Sequence, residues 1–364
     1  MPQSFAHLPL AKARPDPQRF IDVIMGRARS ERPPMVEYLI DDAVMRPITT
    51  DLLGREWVVP NGADRATMDT YLDNTIFFWR AMGYDFVRYE ESARFVETSV
   101  VGDDGTKLNG LRSWRDMHAG GITSWEAFDS YPWPTVSDED VANTAYLAEH
   151  LPDDMGLITC HAGGPYEHLS GVMSYEPLCL ALYDQPDLVE AVAQRIGETM
   201  YACYERLVQL PRLIALFQGD DMGFRTMTLL PPDALRQLTL PWHKRFAELA
   251  HSHGIPYFLH SCGNMLSVMP DLLDDVGIDA KHSFENAIIT IDDFQARYGD
   301  RIGVLGGVDI DILGRAPLEQ VRAETRRLID VCHPRGRFAV GSGNSIPSYI
   351  PVDSYLTMLD EAQR

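Results

Sequence analysis

The chain has 364 residues, with 53 acidic and 32 basic side chains, which gives a formal net charge of −21 at neutral pH. So acidic a surface repels a phosphate backbone or an anionic membrane, and neither nucleic acid nor membrane partners are expected. No apolar run approaches the roughly 20 residues that span a bilayer. The five cysteines are scattered, odd in number and not preceded by a secretory leader. This pattern argues against a disulfide framework and favours a reduced, cytoplasmic protein.

The chain begins with a Pro- and Ala-containing segment that carries basic residues. It is predicted to be an N-terminal arm over residues 1–30, with a helix over Asp16–Arg29. Residues 31–364 are predicted to form a single domain, whose first strand lies in the proline-punctuated apolar run Arg32–Ile40. Glu37 stands inside this strand. It is either an inward-pointing functional acid or a polar contact at the end of a barrel.

Apolar and amphipathic segments alternate along the rest of the chain, with polar residues after each apolar segment. Further strands are predicted over Tyr84–Tyr89, Gly156–Cys160, Leu213–Phe217, Pro256–His260, Ile278–His282, Ile302–Val308 and Arg337–Val340. About eight strands that alternate with helices are typical of a (β/α)8 TIM barrel, an α/β fold of about 250 residues or more. Because active sites of such barrels lie at the carboxyl ends of the strands, we expect these polar residues to converge.

The strongest candidate site is the pair His260 and Cys262, which are separated by one residue at the end of an apolar strand. Side chains two positions apart leave a strand on the same face, so an imidazole and a thiolate can hold one metal ion. Zn²⁺ prefers this pair of ligands, and Gly263 lets the backbone turn away after them. Glu285 is the best third ligand, and His282 on the same strand end is another candidate. The alternative is a buried cysteine that is hydrogen-bonded to a histidine.

Two adjacent carboxylates, Asp220 and Asp221, follow the strand Leu213–Phe217. Both compete with Glu285 for the third ligand position in the metal site. Alternatively, one of them orients a ligand through a hydrogen bond without touching the metal.

These segments resemble the uroporphyrinogen decarboxylase superfamily, and more closely its corrinoid-dependent methyltransferase branch, which includes the methyltransferase components of O-demethylases. The resemblance extends from about Pro33 to the C-terminus. It is carried by Gly219-Asp-Asp-Met-Gly223, Leu259-His-Ser-Cys-Gly-Asn264, Phe284-Glu285, Gly306-Gly-Val-Asp309 and Gly343-Asn-Ser-Ile-Pro347. It implies a uroporphyrinogen decarboxylase-like TIM barrel over residues 31–364.

The metal-site spacing is also similar to that of cobalamin-independent methionine synthase, in which zinc is held by His-x-Cys, a later Glu and a late Cys. Glu285 lies 23 positions after Cys262, which supports it as the third ligand by similarity. The late Cys is absent, because Ser342 occupies its place in Gly341-Ser-Gly343. The fourth position is therefore either open or filled by a carboxylate.

The resemblance implies a zinc-dependent methyltransferase that moves a methyl group from a small donor to a corrinoid on a separate protein. Asp220 or Asp221 would donate a proton or act as the fourth ligand. Asp309, Ser342 and Asn344 would position the substrate. The tryptophans of residues 97–135 favour an aryl methyl ether as donor, since aromatic side chains line pockets for such groups.

Two other functions remain open: a metal-independent decarboxylase of the uroporphyrinogen decarboxylase type, and a binding or scaffold protein on a barrel that has lost its activity. Porphyrinogen decarboxylation itself is disfavoured. Its substrate carries many carboxylates, whereas the segment after Pro34 is acidic and lacks an arginine cluster. A homodimer is compatible with the acidic surface.

Overall fold

A computed structural model describes residues 5–10, 12–60, 62, 64–97, 99–103, 111–115 and 117–364 of the protein, and it describes the side chains of all of these except 99–103 and 111–115. Among these residues no helix combines the length and the apolar character that crossing a membrane requires.

The described residues contain nine strands. They are β1 Phe86–Glu91, β2 Ser99–Asp103, β3 Leu111–Arg115, β4 Gly156–His161, β5 Leu213–Gly219, β6 Tyr257–His260, β7 Ala280–His282, β8 Gly303–Leu305 and β9 Phe338–Ala339. Seven of them form one parallel sheet in the order β1-β4-β5-β6-β7-β8-β9. The other two, β2 and β3, pair as an antiparallel hairpin with Ser99 opposite Arg115.

Helices fill the connections between the strands. The α-helices are α1 Pro17–Ile24, α2 Asp42–Pro47, α3 Arg65–Ala81, α4 Trp125–Ser130, α5 Ala142–His150, α6 Pro165–Met173, α7 Tyr175–Asp184, α8 Pro186–Leu207, α9 Pro232–Leu238, α10 Leu240–Ser252, α11 Met269–Asp271, α12 Ile291–Tyr298, α13 Ile310–Arg315, α14 Leu318–Cys332 and α15 Val352–Ala362. Short 3-10 helices span Asp138–Val141 and His333–Arg335, and π-helical turns span Ile48–Leu52 and Leu272–Val276.

The strands of the main sheet read as continuous apolar runs because both faces of the sheet are covered. Every residue of β4 and of β6 is buried. Such two-sided burial is typical of parallel sheets flanked by helices. The predicted α/β, TIM-barrel-like architecture is therefore confirmed at the level of a parallel sheet with helices packed around it.

The predicted N-terminal helix is present as α1, and it packs against the sheet. Asp16 caps it, with its side chain accepting a hydrogen bond from the Arg19 backbone N–H at 2.9 Å. The ring of Phe20 lies 4.7 Å from the ring of Phe86 and 6.4 Å from that of Phe258. The helix thus buries its apolar face on β1 and β6. The division into an arm, residues 1–30, and a barrel remains a prediction.

The predicted first strand, Arg32–Ile40, is reduced to isolated bridges in the described part of the chain. Met35 pairs with Val340 and Ile40 pairs with Ile346, both in parallel. The prolines at 33 and 34 lack an N–H group and cannot extend a ladder at its start. The sheet therefore has seven regular strands, and the structure does not show a closed eight-stranded barrel.

The register of the central strands sets the position of the candidate site. Gly219 at the end of β5 is aligned with His260 at the end of β6, which is aligned with His282 at the end of β7. Beyond β8 and β9, Val308 pairs with Ser342. The polar residues that follow these strands consequently meet at one edge of the sheet.

Candidate metal centre

Three potential ligands converge at this edge: Asp221, His260 and Cys262. One donor atom from each lies within 4.8 Å of the other two. His260 Nε2 is 3.4 Å from Cys262 Sγ and 3.5 Å from Asp221 Oδ1. Zinc bonds these donor types at about 2.0–2.3 Å in a tetrahedron, which requires ligand atoms roughly 3.5 Å apart. The donor types and their separations therefore fit a zinc ion.

Two glycines allow the loops that carry these ligands to approach each other. Gly263 has a φ of +80°, and a Cβ atom there would lie 2.2 Å from the carbonyl carbon of Gly223. A Cβ atom on Gly223 would lie 2.5 Å from the carbonyl oxygen of Cys262. Side chains at either position would separate the loop after β5 from the loop after β6. This close approach brings Asp221 to the Cys262 backbone N–H, which donates to Asp221 Oδ1 at 2.9 Å.

The pKa values of two of the three potential ligands, Cys262 and Asp221, are shifted in opposite directions. Burial raises the pKa of the Cys262 thiol well above its usual range, and the charge of Asp221 raises it further. Burial also acts to raise the pKa of Asp221, but its hydrogen bond and charge interaction with His260 outweigh this and hold the pKa well below its usual range. Asn344 Nδ2 donates to Cys262 Sγ at 3.2 Å, and Ser283 Oγ does so at 3.7 Å. A bound divalent cation would deprotonate such a thiol.

The imidazole of His260 is stacked against the ring of Tyr38, and that ring is in turn in contact with the buried Arg88 guanidinium. The Tyr38 ring lies 4.0 Å from the His260 ring at an interplanar angle of 15°. The guanidinium carbon of Arg88 lies 3.9 Å from the centre of the Tyr38 ring, and Arg88 pairs with Glu90 at 2.6 Å. The sequence pattern did not single out Tyr38 and Arg88. Their positions in predicted strands gave no sign that they stack behind a ligand.

His260 also contacts a second imidazole through its other ring nitrogen. His260 Nδ1 lies 2.7 Å from His282 Nδ1, and His282 Nε2 lies 3.1 Å from the backbone oxygen of Ser342. Both nitrogens of His282 are thus engaged. The structure places His282 behind His260 instead of among the three clustered ligands, where the sequence had left it as a candidate.

Asp220 lies next to Asp221 in the chain but in a different environment. It is fully buried, and its carboxylate accepts hydrogen bonds from the backbone N–H groups of Tyr166 at 3.1 Å and Glu167 at 2.9 Å, in the first turn of α6. His243 Nε2 lies 2.9 Å from Asp220 Oδ2. A Cβ atom on Gly164 would lie 2.2 Å from the Asp220 side chain. Asp220 therefore fixes the start of a helix and is not part of the ligand cluster.

Two other predicted residues hold loops around the site. Glu285, the predicted third ligand, is not among the three clustered donors. Its Oε1 atom accepts a hydrogen bond from the Gly263 backbone N–H at 3.2 Å. Asp309, predicted to position substrate, caps α13 by accepting from Asp311 N at 2.8 Å and also accepts from Asn286 N at 3.0 Å.

Ser342, which occupies the place of the late Cys, is anchored by Glu37. The Ser342 backbone N–H donates to Glu37 Oε1 at 2.9 Å, and its hydroxyl donates to the other carboxylate oxygen of Glu37 and contacts the backbone oxygen of Asn344. Glu37 is fully buried, and burial raises its pKa to about 8. Glu37 is thus a polar contact at the strand end, and the Ser342 hydroxyl is directed to it and not to the ligand cluster.

A cleft of 560 Å³ opens beside the carboxyl end of β1. Five carboxylates and one guanidinium line it: Asp42, Glu90, Glu91, Glu139, Asp140 and Arg94. One wall residue, Glu90, is linked to the ligand cluster through Tyr38, whose hydroxyl donates a long hydrogen bond of 3.4 Å to Glu90 and whose ring stacks on His260. Its wall is strongly acidic and would repel a substrate with several negative charges.

Two tryptophans of residues 97–135 have described side chains; both contact residues nearby in the sequence, and Trp133 also packs against the hydrophobic core. Trp133 donates from Nε1 to the backbone oxygen of Phe128 at 3.1 Å, and Trp125 packs against the ring of Phe128 and is 46% exposed. The side chain of Trp114 lies outside the described residues.

Comparison with known proteins agrees with this architecture. A solved methyltransferase from Methanosarcina mazei superposes with a TM-score of 0.67 at 17% identity, over 95% of this chain and 97% of the other. A putative vitamin-B12 independent methionine synthase from Listeria monocytogenes gives a TM-score of 0.47 at 13% identity, over 92% and 97% of the two chains. At 17% identity, the likeness to the Methanosarcina mazei structure concerns the fold alone.

No curated protein matches the chain significantly. The family model for uroporphyrinogen decarboxylase (URO-D) matches residues 136–364, which include β4 to β9 and all three clustered ligands. The chain therefore belongs to the uroporphyrinogen decarboxylase (URO-D) family.

Proposed function

We propose that this protein is a zinc-dependent methyltransferase that moves a methyl group from a small methylated donor to a corrinoid carried by a separate protein. The observation that carries the proposal is the convergence of Asp221, His260 and Cys262 at the carboxyl edge of the sheet. A thiolate, an imidazole and a carboxylate form a ligand set typical of zinc, and three protein ligands leave a position for substrate.

The residues that would hold the metal are Asp221, His260 and Cys262. Asp221 would take the place of the late Cys as a negatively charged ligand, because its carboxylate lies beside His260 and Cys262. The hydroxyl of Ser342 is instead hydrogen-bonded to Glu37. Glu285, the third ligand expected from the sequence, is the alternative to Asp221. Its Oε1 atom accepts a hydrogen bond from the backbone N–H of Gly263, next to Cys262.

When bound, zinc would supply a Lewis acid that stabilises the negative charge on the oxygen losing its methyl group. In the overall transfer the methyl–oxygen bond breaks and the methyl group joins Co(I), whose electron pair forms the new bond. The donor oxygen keeps the electrons of the broken bond and takes a proton from solvent. Asp221, whose pKa is held low, is ionised and acts as a ligand instead of a proton donor.

Three residues remain proposed for positioning the substrate: Asp309, Ser342 and Asn344. Asn344 is the one of the three that contacts the ligand cluster, because its Nδ2 atom donates to Cys262 Sγ at 3.2 Å. That hydrogen bond favours the charged form of the sulfur. Asp220, by contrast, would act through its neighbour Asp221, because it anchors the loop that carries both residues.

The cleft beside β1 favours an uncharged donor over a polycarboxylate. Its wall has five carboxylates and one guanidinium, so a substrate with several carboxylates would enter against repulsion. An aryl methyl ether carries no charge and is compatible with this wall. The alternative, a metal-independent decarboxylase, is disfavoured for the same electrostatic reason.

Methyl transfer can be tested with free cobalamin as acceptor. Zinc-loaded protein is incubated with an aryl methyl ether and Co(I) cobalamin, and methylcobalamin and the phenol are quantified. We expect equal amounts of both products, loss of activity in Cys262→Ala and normal activity in Cys203→Ala, whose buried cysteine lies on α8. Failure with ethers, methylamines and methyl thiols, together with CO2 release from carboxylated substrates after metal removal, would support the decarboxylase instead.

A further inference from the structure

Four buried residues form a continuous hydrogen-bonded chain behind the metal centre, which we call the histidine relay: Glu37, Ser342, His282 and His260. Glu37 binds the backbone N–H and the hydroxyl of Ser342. The backbone oxygen of Ser342 lies 3.1 Å from His282 Nε2, and His282 Nδ1 lies 2.7 Å from His260 Nδ1. None of the four residues is more than 4% exposed.

The end of the relay at Ser342 determines where the proton lies on His282. A backbone carbonyl oxygen can only accept a hydrogen bond, so the nitrogen that faces it, His282 Nε2, must carry the proton. A neutral imidazole has one protonated nitrogen, which leaves His282 Nδ1 as an acceptor. The partner of that acceptor, His260 Nδ1, must then be the donor.

Burial keeps His282 in the neutral form that this assignment requires. The ring has no exposed surface, and among the described residues no carboxylate hydrogen-bonds to it. A buried imidazolium without a counter-charge is strongly unfavourable.

We infer that the histidine relay fixes a proton on Nδ1 of His260, so that Nε2, the atom that faces Cys262 and Asp221, is the nitrogen through which His260 can bind a metal ion. His282, Ser342 and Glu37 are therefore positioning residues for the metal ligand. Histidine ligands commonly donate their second ring N–H to an acceptor, which orients the ring and raises its basicity. Here that acceptor is another imidazole.

The relay also gives a role to the serine that stands in the place of the late Cys. Ser342 contributes through its backbone oxygen, and Glu37 holds that oxygen in position by binding the N–H and hydroxyl of the same residue. Gly306 leaves room for the contact, because a Cβ atom there would lie 2.1 Å from the Ser342 oxygen and 2.8 Å from His282 Nε2. The relay rests on the proposed metal centre.

The tautomer can be read directly from metal-free protein, so the test does not depend on methyl transfer. Protein labelled with ¹⁵N-histidine is studied by long-range ¹H–¹⁵N correlation at about pH 8.5, two units above the usual imidazole pKa. Signals are assigned from those missing in His260→Gln and His282→Gln. We expect a protonated Nδ1 on His260, together with a protonated Nε2 and a bare Nδ1 on His282. A bare Nδ1 on His260 would overturn the inference, whatever the outcome of the methyl-transfer assay.

Zinc affinity, measured by competition with a chromogenic chelator, gives a second readout. His282→Leu removes the acceptor and should weaken zinc binding about 10–100-fold. His282→Gln can donate to the Ser342 oxygen and accept from His260, so it should retain most of the affinity. His161→Leu, a matched control at another fully buried histidine, should not change it.

Equal zinc affinity in His282→Leu and the wild type would also overturn the inference. If His282→Leu does not fold, the inference is still tested by the wild-type NMR spectrum and by the zinc affinity of His282→Gln. The expected tautomers in a protein that transfers no methyl group would leave the relay standing and remove only the proposed function.

Discussion

Asp220 Oδ2 and His243 Nε2 lie 2.9 Å apart, and both side chains are completely buried. His243 Nδ1 lies 2.8 Å from the Tyr257 hydroxyl, so a Tyr–His–Asp chain runs from β6 through α10 to the end of β5. Asp220 also binds two backbone N–H groups at the start of α6. This network fixes the residue that precedes the ligand Asp221, and it explains why two adjacent aspartates have different roles.

Replacing Asp220 with Ala should lower the free energy of unfolding by about 3–5 kcal/mol, since it leaves buried donors without a partner. Urea denaturation checks this. The double variant with His243→Ala should be less destabilised than the sum of the two single variants, because both remove the same contact. Asp153→Ala, at a fully exposed aspartate, is the control. Equal stability of the Asp220 and Asp153 variants would contradict the assignment.

The sequence predicted the pair His260 and Cys262 correctly as neighbours because alternation in a strand is a local property. It could not distinguish Asp220 from Asp221, since that depends on which carboxylate meets a helix start more than 50 residues earlier in the chain. The stack of Tyr38 on His260 joins segments more than 200 residues apart. Such contacts leave no periodic pattern in the sequence.

The sequence also predicted the general architecture of the fold, but not the irregular first strand. Alternating apolar and amphipathic segments indicated a parallel α/β sheet with helices, and the strand order follows from that alternation. The first strand was over-predicted. Its apolar residues suit a strand, but the two prolines at its start prevent a regular ladder, and only bridges at Met35 and Ile40 form.

The ligand assignment predicts different effects of two carboxylate substitutions. Asp221→Asn removes a charged ligand and should weaken zinc binding more than 100-fold. Loss of a residue that only hydrogen-bonds to a ligand weakens metal binding by roughly 10–100-fold. Glu285→Gln keeps an acceptor for the Gly263 N–H and should change affinity by less than about tenfold. Competition with a chromogenic chelator measures both. The opposite order would assign the third ligand to Glu285, as the sequence spacing suggested.

Glu37 predicts a pH dependence of stability with a definite sign. Burial raises its pKa from the ordinary 4.5 to about 8 in the folded protein. Between these values the unfolded chain has lost a proton that the folded chain keeps, so the free energy of unfolding contributed by Glu37 falls as the pH rises. The slope approaches about 1.4 kcal/mol per pH unit, and the loss is complete above about pH 8.

Comparison with Glu37→Gln isolates this effect, because glutamine does not ionise. The stability of the variant relative to the wild type, from urea denaturation, should increase steadily from about pH 5 to about pH 8. A difference that stays constant over this range would show that Glu37 does not carry the raised pKa.

Gly306→Ala should disrupt the contact between His282 and the Ser342 backbone oxygen. Gly306 has a φ of +87°, and its added Cβ would meet both groups at less than 3 Å. We expect Gly306→Ala to be about 1–3 kcal/mol less stable than Gly254→Ala and to bind zinc more weakly. Gly254 is a matched control, since its φ is +74° and no atom lies within 4 Å of an added Cβ. Stability is measured by thermal unfolding and zinc affinity by chelator competition. Equal values for the two variants in both measurements would contradict the proposed contact.

The most direct test of the metal centre is the zinc content of purified protein by elemental analysis, together with His260→Ala, Cys262→Ala and the controls His251→Ala and Cys203→Ala. About one zinc per chain is expected in the wild type and both controls, with loss of zinc from both ligand variants. Zinc that persists in both ligand variants, or a wild-type protein that takes up no zinc when it is supplied, would contradict the proposed centre at Asp221, His260 and Cys262.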